Sequence, residues 1–274
     1  MSKGWHAELE LWFEHNSSAT RLVRRRHLGP LAVQRPFYPE PDGCAHVYLL
    51  HPPGGVAAGD ILTINCHLGD RSRTVLTTPG ATKFYWAEQA TSTQTTSITV
   101  GAGGICEYLP QETIVFNGAR AAISTRVTLT GDARYLGWEI VCLGRPACGE
   151  RFERGEVRQR LEIFRDDRPI WFEQFCLKGG DAARDAAFAF NAQPIVATMV
   201  YAGEADDDAV DRIRATPSGG RTSLFSVSRL DHVIVCRYLG GRMSEAKQML
   251  RQAWEILREA GLGKAAAPPR IWAT

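Results

Sequence analysis

The chain has 274 residues, is 44% hydrophobic, and carries 32 Lys+Arg against 30 Asp+Glu. That length can bury a sizeable core as one large domain. A net charge of +2 gives no electrostatic case for nucleic acid or an anionic membrane as a partner, and ordinary apolar content disfavours disorder. Residues 1–6 hold no apolar signal core, and no run approaches the roughly 18 apolar residues of a spanning helix. The longest clean apolar run is IVATMVYA at 195–202, which suits a buried strand. The chain therefore reads as soluble and cytoplasmic. Seven cysteines at irregular spacing suggest reduced thiols, most of them acting as small buried hydrophobes.

In chain order the prevailing signal is short strands bounded by Gly, Pro, Asp or Asn. They are expected at 7–13, 20–28, 46–51, 60–68, 73–78, 91–100 and 122–130. A buried strand follows at 135–143, then a hairpin of 156–164 and 169–177 turning at Arg165-Asp166-Asp167-Arg168. Strands at 194–201, 222–228 and 232–239 complete the set. Alternating Thr and Ser in TSTQTTSITV suit a sheet surface rather than a helix. The fold class is mainly β: a sandwich, barrel or irregular solenoid, read as one domain over 1–274. The clearest helix is 244–260, where Ala246, Met249, Leu250, Ala253, Trp254, Leu257 and Ala260 share one face. Shorter helices are expected at 206–215 and 181–190.

No P-loop, dinucleotide fingerprint, nucleophile elbow, zincin helix or paired C-x-x-C is present, so no common catalytic engine is visible. HPPGGVAAGD (51–60) is the most unusual segment. Pro52-Pro53 stiffens its start, and Gly54, Gly55 and Gly59 permit backbone shapes closed to other residues. His51 and Asp60 bracket this loop, and both can hold a metal or a proton. The plainer reading is a turn with Asp60 capping the next strand. In TTPGATKFY (77–85), Pro79-Gly80 suits a type II turn, and Lys83 offers an anion or partner contact or simply a solvated cation. Glu107 and Glu112 in EYLPQETIVFNGA flank Pro110, so sheet-edge acids are the simpler account. Glu139 lies within an apolar strand, and a buried carboxylate needs a partner such as Arg145 or Arg151. Cys142 and Cys148 read as thiols rather than ligands. His46 and His51 have opposite strand parity and should face different ways.

Taken in order, HPPGGVAAGD, TTPGATKFY, EYLPQETIVFNGA, LGWEIVCLGRPACGERF (136–152), RYLG (237–240) and the terminal PPRIWAT (268–274) resemble the signature blocks of the UreD (UreH) family of urease accessory proteins. The resemblance covers nearly the whole chain. Ala58 stands where many members carry glycine, so it needs an ordinary φ to avoid strain of about 1 kcal/mol or more.

The resemblance implies an irregular right-handed β-helix with helices toward the C-terminus. It implies a non-enzymatic scaffold that binds the helical accessory protein UreF and, through it, the GTPase UreG. The assembly docks on apo-urease and passes nickel through an internal conduit. No cofactor is expected to be permanently bound; nickel would be transient. A conduit must bind weakly at several points because the ion has to leave, which suits scattered carboxylates better than a closed Cys/His cage. By matching position Asp60 is the first candidate for this path, followed by Glu139 and Glu173 and then His51. Gly54, Gly55, Gly59, Pro79, Gly80, Lys83, Glu112, Arg145 and Trp272 are expected to shape the motifs or meet partners. Trp272 should pack on the chain's own core or on UreF. Rival readings are a structural adaptor without a metal path, and a metal-dependent hydrolase using Asp60, His51 and a glutamate.

Overall fold

The computed structural model describes residues 4–216 and 223–273. Its strands are β1 (His6–His15), β2 (Thr20–Leu28), β3 (Ala32–Val33), β4 (Ala45–Leu50), β5 (Ile61–Leu68), β6 (Arg73–Thr77), β7 (Thr82–Phe84), β8 (Ser92–Val100), β9 (Ile105–Leu109), β10 (Thr113–Val115), β11 (Arg120–Leu129), β12 (Arg134–Leu143), β13 (Glu156–Arg165), β14 (Arg168–Lys178), β15 (Ile195–Ala202), β16 (Leu224–Leu230) and β17 (Val233–Gly240). Two α-helices, α1 (Ala209–Arg214) and α2 (Met243–Leu262), follow β15 and β17.

From β4 to β13 the chain alternates between two sheets, and each pass lays a strand parallel to its predecessor. The first sheet runs β14-β13-β11-β8-β5-β1-β2, with β1, β5, β8, β11 and β13 paired in parallel. The second runs β16-β17-β15-β12-β9-β6-β4-β3, with β4, β6, β9 and β12 paired in parallel. The result is a stack of solenoid-like coils, ended on the β13 side by the β13–β14 hairpin. Asp166 and Asp167 both take positive φ in that two-residue turn, as a tight hairpin requires.

Alternation decides which residues go inside. Ala7, Leu9, Leu11 and Phe13 of β1 face the second sheet, as do Leu62, Ile64, Cys66 and Leu68 of β5. The second sheet is covered on both sides. Val141 and Leu143 of β12 look toward the first sheet, while Leu136, Trp138, Ile140 and Cys142 look toward α1 and α2. Two-sided burial explains why β9 reads as a continuous buried run with no alternation. All seven residues of the predicted α2 face are buried.

Some sequence expectations change. Residues 181–190 form only a 3₁₀ turn at Ala182–Arg184, capped by the Asp181 side chain on Ala183 N at 2.9 Å. Positive φ at Asn191 and Ala192 turns the chain back toward β15. Short β3, β7, β9 and β10 lie outside the predicted strands. The predicted strand start at 222 lies outside the described residues. Among the described residues no helix is long and apolar enough to cross a membrane.

Candidate functional site

Between the two sheets lies a cavity of about 220 Å³. Its mouth is built by the two glycine-proline segments: His51, Gly54, Gly55, Pro79, Gly80 and Lys83 line it. These segments are zipped together by Val56 N donating to Lys83 O at 2.7 Å and Tyr85 N donating to Val56 O at 3.0 Å. Gly55 lets the Tyr85 ring lie close, because a Cβ there would fall 2.3 Å from that ring and push it aside. Gly59 is required by conformation, with φ +82°, while Ala58 is not among the residues of positive φ. Burial pushes His51 below its ordinary pKa, against the opposing pull of Asp60.

The inner wall carries polar side chains on inward strand positions. Gln94, Tyr108, Thr125, Glu139 and Gln159 all reach this cavity. Glu139 is 8% exposed, and Gln159 of the opposite sheet donates its amide N–H to Glu139 Oε2. Among the described residues no cation pairs with Glu139; Arg145, its expected partner, instead holds Glu150 with two guanidinium contacts at 2.5 and 3.1 Å. Arg151 likewise turns to Asp185 at 3.1 Å. Burial therefore lifts Glu139 to about 7; hydrogen bonds from Thr125 and Gln159 pull it down, and nearby Glu173 pushes it up. A carboxyl group in this setting changes its protonation state near neutrality.

Glu139, Thr198 and Arg237 stand in register across β12, β15 and β17. Thr198 Oγ1 donates to Glu173 Oε1 at 2.9 Å, and Arg237 Nη2 reaches Glu173 Oε2 at 3.2 Å. Among the described residues Glu173 therefore has a cation where Glu139 has none. A narrow space of about 10 Å³ lies between Glu139, Gln159, Glu173 and Thr198. Beyond it a third space of about 260 Å³ is lined by Glu173, Phe190, Thr198, Leu224 and Arg237. The first and second spaces share Glu139 and Gln159, and the second and third share Glu173, Val196 and Thr198, so the three adjoin in series.

Asp60 is placed elsewhere. It is 5% exposed, and its two oxygens accept from Trp5 N at 2.7 Å and Ala57 N at 2.8 Å. Among the described residues it is absent from the cavity wall, and it braces the loop that forms the mouth. Among the described residues, Asp60, His51 and a glutamate do not bring three ligand atoms together as a metal-dependent hydrolytic centre would need. Glu112 pairs with Lys247 at 2.6 Å on the α2 side. Trp272 packs on the chain's own core, with ring centroids 5.3 Å from Trp138 and 5.4 Å from Trp254.

On the helix side of the second sheet a separate ionic knot is buried. Arg258 of α2 is 0% exposed; it bonds Glu107 at 3.1 Å and both oxygens of Glu40 at 2.6 and 2.7 Å. Trp254 Nε1 donates to Glu107 Oε2 at 2.7 Å. Lys264 and Arg73 hold Asp42 at 2.5 and 2.8 Å. Glu40 sits at about 2: burial alone would raise it, but the His46 hydrogen bond and the charges of Arg258 and Lys264 win. Glu40, Cys44 and His46 place ligand atoms within 4.8 Å of one another. A cation there would have to displace Arg258 from Glu40 and deprotonate a thiol that burial holds well above its ordinary value, so this cluster is read as structural.

Residues 6–273 match the family described as UreD urease accessory protein. The chain is 71% identical over 274 residues to urease accessory protein UreD 2 of Brucella anthropi, covering all of both chains. It is 45% identical to urease accessory protein UreD of Pseudomonas fluorescens, covering 98% of this chain and 95% of that one. A relative of the same description from Nitrosococcus oceani is 41% identical, with 98% and 90% covered.

The chain belongs to the UreD family of urease accessory proteins.

Within this UreD-family chain the first two motif blocks meet as one cavity mouth. The residues that sequence reasoning missed are Gln94, Thr125, Gln159, Thr198 and Arg237. Gln94, Thr125 and Gln159 carried a signal in their parity, whereas Thr198 and Arg237 lie on strands without alternation. Thr125 shares the inward register of Ile123 and Val127, and Gln159 that of Val157 and Leu161.

Proposed function

We propose that this chain serves urease maturation as a non-enzymatic conduit, passing nickel toward apo-urease within an assembly that includes UreF and UreG. The observation that carries the reading is Glu139: a buried carboxylate with no cation paired to it among the described residues, on the wall shared by two spaces between the sheets. A buried acid kept only for stability is either neutralised by a cation, as Glu107 and Glu40 are, or has its oxygens taken by backbone N–H groups, as Asp60 does. Glu139 is left able to take a cation and release it.

Nickel is the cargo. Oxygen ligands suit a divalent ion in transit, because they exchange with water more readily than a thiolate cage does. His51 at the mouth supplies a neutral imidazole, Glu139 the buried carboxylate, and Glu173 a second carboxylate that Arg237 can relinquish. Family membership supports the link to urease.

The test is replacement of both acids, Glu139→Gln with Glu173→Gln, in the assembled complex with apo-urease. The nickel content of urease is expected to fall by about tenfold or more, equivalent to roughly 1.4 kcal/mol or more on the limiting step, while co-purification of the partners is unchanged. Unchanged nickel content would remove the conduit and leave an adaptor role.

A further inference from the structure

The space between Glu139 and Glu173 measures about 10 Å³, which holds about one water. At about 10–15 Å³ of such space per water, a divalent ion with six waters needs on the order of 60–90 Å³. The 220 Å³ inner space can hold such an ion, and the neck cannot. Passage therefore requires water to be shed, a side chain to move, or both. The wall residue best placed to move is Gln159. It is half-buried on β13, and its amide N–H bridges from the first sheet to Glu139 on the second. Glu139 is more enclosed, and Thr198 is short and already bonded to Glu173.

We propose that Gln159 is the gate of this neck: its hydrogen bond to Glu139 closes the passage, and a divalent cation opens it by taking the Glu139 oxygen in its place. The proposal rests on the reading of the cavities as a cation path. When the amide is displaced, its carbonyl oxygen can turn toward the ion and replace a lost water. A hydrogen bond to a carboxylate contributes about 1.5–3 kcal/mol. That is enough to keep the neck shut against water, yet small beside the attraction of a divalent charge for a buried carboxylate. The gate thus favours ions that bind oxygen strongly over those that leave the amide in place. Glu139 is the group that meets the cargo first, and Gln159 joins it as a second oxygen ligand once the latch is open.

Two substitutions in the full complex with apo-urease separate this from a packing role. Gln159→Ala removes both latch and bulk, and nickel incorporation is expected to speed up by about ten- to a hundredfold, the effect of losing one hydrogen bond to a carboxylate on a barrier. Gln159→Leu keeps the bulk but cannot be displaced toward a polar ligand, and incorporation is expected to slow by about tenfold. Opposite signs, with unchanged co-purification of the partners, support the gate. Shifts in the same direction, or none, overturn it. The carboxylate double variant keeps the two ideas apart: nickel transfer that survives that variant sinks the path, whereas equal effects of Ala and Leu at 159 sink the gate alone.

Discussion

Two groups of buried carboxylates lie on opposite faces of the second sheet, and they are treated differently. On the helix face, Glu107 and Glu40 are held by Arg258, and Lys264 stands 3.7 Å from Glu40. On the inner face, Glu139 has an amide and a hydroxyl for partners. The first arrangement holds Glu40 at about 2, and the second lifts Glu139 to about 7. Burial is common to both, so it does not by itself mark a site. What differs is whether a cation of the chain has already been supplied. The neutralised group ties α2 to the sheet, and the unneutralised one faces open space.

Breaking the knot should have the largest effect. Arg258→Met leaves Glu107 and Glu40 buried without their main cation, and such losses cost about 3–5 kcal/mol. Urea denaturation should show it as a lower midpoint. Adding Glu107→Gln should recover part of the loss, because a neutral amide oxygen still accepts from Trp254 without carrying a charge. A loss below about 1 kcal/mol would mean that the knot behaves like a surface pair and that the contrast with Glu139 is misdrawn.

The inner face should respond with the opposite sign. Glu139 has a folded pKa raised from 4.5 to about 7, so the folded state favours its protonated form. Its contribution is fully present below pH 4.5 and is lost as pH rises toward 7, by roughly 3 kcal/mol. Glu139→Gln removes that loss, so the variant should be more stable than the parent at pH 8 while delivering less nickel. Glu40 and Asp42, both lowered to about 2, behave conversely: their contribution is present above about pH 4.5 and fails as pH falls through 2. Urea midpoints at pH 5 and pH 8 decide the matter. An equal gap between parent and Glu139→Gln at both pH values would contradict the raised pKa.

This contrast was only half legible in the sequence. Glu139 stood out as a carboxylate inside an apolar run, and the α2 face followed from spacing alone. Thr125 and Gln159 could have been found by asking which polar residues share inward parity with apolar neighbours. The knot could not. Arg258 meets Glu40 across 218 residues and Glu107 across 151, and neither local periodicity nor charge pattern registers such a pairing. Its helix position, beside Leu257 at the margin of the apolar face, reads as an ordinary solvated arginine. The stacking of parallel strands, which puts residues 51–55 beside 79–83, is likewise a property of topology.

Asp60 tests the comparison from a third direction, because it is buried and uncharged partners satisfy it. Two backbone N–H groups, from Trp5 and Ala57, occupy its oxygens. It therefore resembles neither the knot nor Glu139: its role in this geometry is to hold residues 51–60 in the shape that forms the mouth. Asp60→Asn keeps one acceptor but turns an amide donor toward a backbone donor, which should cost about 1–3 kcal/mol. If Asp60 acts as a brace, nickel delivery and stability should fall together. Lowering the assay temperature should then restore delivery as the loop re-forms. If it is a ligand on the path, as motif position suggests, delivery should fall with the urea midpoint unchanged and no recovery on cooling. The second outcome would move the cation path to the far side of the 51–60 loop, and would mean that the mouth lined by His51 and Lys83 is not where the ion first meets the chain.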